Sequence, residues 1–136
     1  MKNFILKFTA VFCLIAFSFC FAGCIKGDDA KKLTKDFLEA IDDEDYEKGE
    51  TYLHPNYNLN IKKEIEEIEA RKNVDFSNGV EIDKYHGFSS TLYASEVDGS
   101  EFELDFTIIV DGKRLEAHIS IVDNDDGYGI YYFEIH

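Results

Sequence analysis

The stretch "SEFELDFTIIV" at 100–110 alternates apolar and polar residues almost without a break. Phe102, Leu104, Phe106, Ile108 and Val110 share one phase, and Glu101, Glu103, Asp105 and Thr107 share the other. A period of two puts successive side chains on opposite faces of a strand, so this segment must bury one face and wet the other. "RLEAHISIV" at 114–122 repeats the pattern, with Leu115, Ala117, Ile119 and Ile121 inward. Asp-Gly pairs at 98–99 and 111–112 are tight-turn signals, and "DNDDG" at 123–127 is a looser one. The spacing predicts an antiparallel meander of about four strands from Val80 to His136.

Such a sheet needs a cover for its apolar face, and upstream the period changes to that of a helix. "DDAKKLTKDFLEAIDD" places Leu33, Phe37, Leu38 and Ile41 on one stripe, behind Asp28 and Asp29 where negative charge suits a helix start. A second short helix is expected in "DYEKGETYL", with Tyr46, Gly49, Tyr52 and Leu53 on one side and Pro55 stopping it. A third, about 60–72, carries Ile61, Ile65 and Ile68 on a narrow stripe and belongs on the surface. The expected fold class is α+β: N-terminal helices packed on a curved antiparallel sheet of about four strands.

The first 23 residues have a different character. Lys2 and Lys7 are their only charges, and the apolar run from Phe8 to Ala22 spans about 15 residues against the roughly 20 a membrane span needs. Ala22-Gly23 before Cys24 resembles the lipobox of bacterial lipoprotein signal peptides. The resemblance implies cleavage between Gly23 and Cys24 and attachment of acyl chains such as palmitate through the Cys24 sulfur. Ordinary secretion with cleavage near Ala22 and an uncleaved anchor are the alternatives. The chain then divides into a signal peptide (1–23), a tether (24–30) and a single α+β domain (31–136), located in the bacterial cell envelope outside the cytoplasm. Two or more acyl chains, at about 0.8 kcal/mol per buried methylene, hold a protein stably on a bilayer.

Cys13 and Cys20 fall in the removed segment, so the mature chain has no intramolecular disulfide and no Cys-ligated metal. Removing 23 of 136 residues leaves 113 with 12 basic and 28 acidic side chains, a net charge of −16. So acidic a body repels phosphate backbones, which argues against nucleic acid as a partner.

The order of helices and meander, with "FLEAIDDEDYEKGETYLHPNY" in front and "GYGIYYFEIH" at the end, resembles the nuclear transport factor 2-like, or cystatin-like, α+β cone. It is similar in particular to small bacterial lipoproteins of unknown function built on that cone. Enzymes of this class place an Asp base with a Tyr donor, or a His and Asp pair, inside the cone. Here the inward positions are aliphatic or aromatic, and Asp105 and His118 fall on the opposite phase. No catalytic residue carries over, and a non-catalytic role is expected. No cofactor is implied. "DNDDG" lacks the spacing of an EF-hand and reads as a hairpin turn. His86, His118 and His136 lack the short spacing of zinc ligands.

Eight tyrosines, all beyond Cys24, are the remaining candidates. Tyr57, Tyr85, Tyr131 and Tyr132 are the candidate binding surface, with rim packing as the plainer role. Expected partners are the lipid bilayer through Cys24 and an envelope protein or small ligand. Alternatively the chain self-associates as a homodimer through its sheet, a reading suggested by Ile109, an aliphatic residue on the polar phase.

Overall fold

The computed structural model describes residues 26–136; Gly23 and Cys24, with the rest of the segment expected to be a signal peptide, lie outside them. Three helices, α1 (Gly27–Asp42), α2 (Tyr46–Glu50) and α3 (Ile61–Lys72), precede a 3₁₀ turn (Phe76–Asn78) and four strands. The strands are β1 (Val80–Ala94), β2 (Gly99–Val110), β3 (Lys113–Asn124) and β4 (Gly127–Ile135). They pair antiparallel in sequential order, which gives the α+β architecture with a meander that the alternation predicts.

The inward phase of the sheet is the core. Leu104, Phe106, Ile108, Val110, Ile119 and Ile121 are completely buried, as are Phe37 of α1 and Ile65 and Ile68 of α3. Phe37 meets Phe133 of β4 edge to face, with ring centroids 5.2 Å apart, so α1 is pinned to the far side of the sheet by one aromatic pair. Thr34, buried on the same helix, satisfies its hydroxyl by donating to the Ala30 carbonyl at 2.9 Å.

Helix ends follow local chemistry. The Asn60 side chain accepts from the Lys63 amide at 3.1 Å, and Asn73 ends α3 in the left-handed conformation with φ 54°. Lys113, from the β2–β3 turn, donates to the exposed carbonyls of Lys72 and Asn73, which places a cation at the negative end of α3. That turn has positive φ at both Asp111 and Gly112, the backbone a two-residue hairpin requires.

Two boundaries differ from expectation. The segment expected as a tether over 24–30 is helical from Gly27, and its Ala30 is fully buried. Helix α2 stops at Glu50 and does not run on toward Pro55. The chain instead turns so that Leu53 pairs with Ile130: the His54 amide donates to the Ile130 carbonyl, and the Ile130 amide donates to the Tyr52 carbonyl, each at 2.8 Å. This short parallel bridge starts to seal the outer edge of β4. The Phe133 amide donates to the Tyr57 hydroxyl, and Arg71 donates to the Ile135 carbonyl at 2.8 Å, which completes the seal. The edge of β1 has no such cover: among the described residues no strand or loop backbone pairs with it.

The bridge requires Gly129, since a Cβ there would lie 2.5 Å from the His54 nitrogen and 2.6 Å from the Leu53 carbonyl carbon. Both are backbone atoms and cannot swing aside. Gly129→Ala should therefore destabilise the fold by about 1–3 kcal/mol, the usual cost of overpacking, read as a lower urea midpoint at unchanged slope. An unchanged midpoint would show that the bridge yields freely.

Candidate functional site

The four tyrosines do not form one surface. Tyr57 and Tyr131 stack with centroids 6.4 Å apart beside the sealed edge of β4, while Tyr132 points to the other face of the sheet against His118. Tyr85 lies on β1 at the opposite edge. A bulge explains the β4 arrangement: Ser120 pairs with Tyr132 and Ile121 with Ile130, so Tyr131 is the extra residue.

Beside the Tyr57 cluster lies a residue that sequence reasoning missed. His54 is 1% exposed, and both its ring nitrogens are engaged. Nδ1 accepts the Asn56 amide at 3.0 Å, so the proton is on Nε2, which donates to the Asn124 side-chain oxygen at 2.9 Å. Asn124 Oδ1 also accepts from the Asp126 and Gly127 amides, and its Nδ2 donates to the Val97 carbonyl at 2.8 Å. Asn56 Nδ2 donates to Asp126 at 2.8 Å. This network clamps the β1–β2 and β3–β4 turns to the loop after α2. With no ring nitrogen free, His54 acts as a brace and not as a base. "DNDDG" is thus a hairpin turn whose Asn caps its own backbone. The only sequence hint was an Asn opening the turn and a His fixed in front of a proline.

The outer face of the sheet is acidic and internally paired. His118 Nδ1 lies 2.6 Å from Asp105, its direct cross-strand neighbour, and Nε2 lies 3.6 Å from Glu103. His86 bonds to Thr107, which donates to Glu116 at 2.8 Å, and Arg114 meets Asp83 at 2.7 Å. A His–Asp pair can orient a proton transfer, but here the second nitrogen faces a carboxylate and no hydroxyl nucleophile, on a face with no enclosing walls. His86, His118 and His136 each sit beside different carboxylates, and no group that could hold a metal ion occurs among the described residues. Ile109 is half-buried in a shallow polar hollow near Asp42, Glu81 and Asp111, so the large exposed apolar side chains lie elsewhere.

They lie along β1. Between α1 and this open strand runs a groove of about 370 Å³ lined by Leu38, Val80, Ile82 and Tyr85, with Lys35, Glu39 and Glu81 as its polar groups. Neighbours in a strand point to opposite faces, so a hollow lined by Val80, Glu81 and Ile82 together wraps around the strand's edge. Tyr85 continues it into a stacked pair with Phe88 at 5.9 Å, and the Lys31 ammonium lies 4.9 Å from both rings. Lys35 and Glu39, one helical turn apart at 3.8 Å and exposed, form a rim that contributes little stability of its own.

Burial raises the Tyr85 phenol, and it also raises that of Tyr57, where the Phe133 amide partly offsets it. A raised phenol favours the protonated folded state, so its stabilisation is present below the ordinary pKa of 10.0 and is lost as pH rises through the higher folded value. An absorbance titration should show late-ionising phenols, one of which disappears in Tyr57→Phe and another in Tyr85→Phe. Loss of neither would place both rings in water. No protein-family model, curated protein or solved structure matches the chain.

Proposed function

We propose that the protein is a non-catalytic, lipid-anchored lipoprotein of the bacterial cell envelope that binds an extended segment of another envelope protein along β1. The observation that carries the binding role is the groove between α1 and an edge strand with no backbone cover among the described residues. An added strand gains main-chain hydrogen bonds from such an edge, while apolar pockets select alternate side chains. Leu38, Val80, Ile82 and Tyr85 offer those pockets, and Glu39 and Glu81 favour a segment with basic residues. The similarity to cystatin-like lipoproteins belongs to this reading: the inward face that houses catalysis in enzymes of that class is filled here by Phe106, Ile108 and Ile119.

The anchor rests on "FSFCFAGC" and the charge reversal after it. Among the described residues no helix is long and apolar enough to cross a membrane. Intact mass of the protein taken from host membranes should equal residues 24–136 plus a diacylglyceryl group, and Cys24→Ala should abolish that species. An unlipidated mass would reject the anchor.

For the groove, displayed random peptides selected on the wild-type protein should be basic and extended, and should lose binding to Ile82→Lys, which puts a charge where an apolar side chain must enter. Peptides that bind this variant equally well would reject β1 as the site. Self-association is a second reading favoured by the same bare edge, because a copy of β1 is one possible added strand. It predicts a concentration-dependent dimer in sedimentation that Ile82→Lys dissolves.

A further inference from the structure

Five large apolar side chains stand exposed among the described residues; Leu92, Tyr93 and Tyr128 lie beside the β1–β2 and β3–β4 turns at one end of the molecule, and Phe88 lies farther back on β1. Phe88 is 54% exposed, Leu92 75%, Tyr93 65% and Tyr128 45%. The Phe88 ring lies 6.4 Å from that of Phe102, and Leu92 and Tyr93 follow on the same strand toward the β1–β2 turn. Tyr128 opens β4 beside the β3–β4 turn, and the two turns are joined by Asn124 and Val97.

Helix α1 starts at this same end. A Cβ on Gly27 would lie 3.6 Å from the rim of the Phe102 ring, which puts the first helical residue against the aromatic cluster. Burial and then the negative field of Asp29 raise the Tyr128 phenol, so that ring is also near the first turn of α1. Cys24 is three residues before Gly27, and a chain spans at most ~3.6 Å per residue, so the Cys24 Cα can lie no more than about 11 Å from that of Gly27.

We infer that Phe88, Leu92, Tyr93 and Tyr128 form a docking surface that rests in the interface of the bilayer into which the lipid on Cys24 inserts. The inference depends on the anchor proposed above. The chemistry of the four side chains fits a membrane interface: one aliphatic tip, one phenyl ring, and two tyrosines whose rings are apolar and whose hydroxyls remain with water and headgroups. Tyr93 already directs its hydroxyl to Asp98, so its polar end is satisfied without a lipid partner. Lys31, over the Phe88 ring, supplies a cation at the edge of the cluster, whereas Glu96 and Asp98 in one adjoining turn, Asp125 and Asp126 in the other, and Asp28 and Asp29 in the first turn of α1 oppose an anionic surface. The surface therefore suits a zwitterionic headgroup layer better than an acidic one. Insertion is shallow, because four side chains cover far less area than an interfacial helix. A tether this short makes the contact effectively intramolecular, so even a weak affinity is expressed.

The chain has no tryptophan, so an introduced indole reports one position. Leu92→Trp and, as a control at the other end of the sheet, Arg114→Trp would be isolated from host membranes and placed in phosphatidylcholine vesicles with brominated acyl chains. Intact mass is recorded on the same samples. The expected result is a lipidated protein in which the Leu92→Trp emission is blue-shifted and mostly quenched, while that of Arg114→Trp is not. Adding Tyr93→Asp to Leu92→Trp should restore much of the emission. A lipidated protein with neither indole quenched overturns the docking and leaves the anchor standing. A blue-shifted but unquenched indole at position 92 means that protein, such as a second copy, covers the tip, and quenching at both positions means no preferred orientation; each overturns the inference. A mass without lipid overturns the anchor and the docking with it.

Discussion

A meander of four strands in sequential order cannot pair its first and last strands within its own sheet, so both outer edges must be dealt with by something else. The chain treats them differently. The edge of β4 is sealed by the Leu53–Ile130 bridge, the Tyr57 hydroxyl and the Arg71 guanidinium. The edge of β1 is interrupted instead by three register shifts, at Ile82/Lys84, Tyr85/Gly87 and Thr91/Ala94. Bulges twist an edge and discourage unlimited pairing, yet they leave stretches of backbone on which a chosen segment can add. The loop after α2, the His54 clamp and Gly129 all serve the sealed side. The groove and the exposed aromatic pole belong to the other side.

That asymmetry accounts for what the sequence shows and what it hides. β2 and β3 are legible because they are central strands with one face under helices, so Phe102 to Val110 and Leu115 to Ile121 keep a single phase throughout. β1 is not, since its three bulges reset the phase and its far half, from Phe88 to Tyr93, is exposed on both faces. No burial constraint then writes a pattern into those residues. In β4 one bulge turns Tyr131 away from the alternation, so that four tyrosines read as one surface separate into three places. The His54–Asn124 contact joins residues 70 apart through polar atoms, and hydrogen bonds of that kind leave no periodicity. The end of α2 is not legible because Pro55 marks only where a helix cannot continue, whereas the backbone of Tyr52 and His54 is already paired with Ile130.

The acidic surface gains meaning from its distribution. On the outer sheet face the carboxylates of Glu101, Asp105 and Glu116 accept from Ser120, His118 and Thr107, so much of that charge is held in cross-strand pairs. Such a face stays soluble and resists stacking on a second sheet. Two lysines of α1 lie on the other side, Lys31 above the Tyr85 and Phe88 rings and Lys35 in the groove wall. The apolar groove is therefore bordered by both signs, by Lys35 as well as by Glu39 and Glu81, while the cross-strand rows of carboxylates lie on the outer face of the sheet.

The short connection between Cys24 and the folded body has a mechanical consequence. A long flexible tether lets a domain stand away from its bilayer and rotate freely, because each doubling of length costs only about 0.6 kcal/mol of closure entropy. Here α1 starts three residues after the cysteine, and Ala30 is already buried at its first turn. Lys26 contributes no side-chain cap to that turn, so tertiary packing of Ala30, together with Asp28 and Asp29 at the positive end of the helix, must hold it. With the proposed lipid on Cys24, a body tethered so closely would meet the membrane with the end where α1 begins. The β1 groove, at Val80 to Tyr85 beside the later turns of α1, lies toward the other end of that strand, so on the proposed anchor a partner strand added there would sit on the part of the domain away from the bilayer.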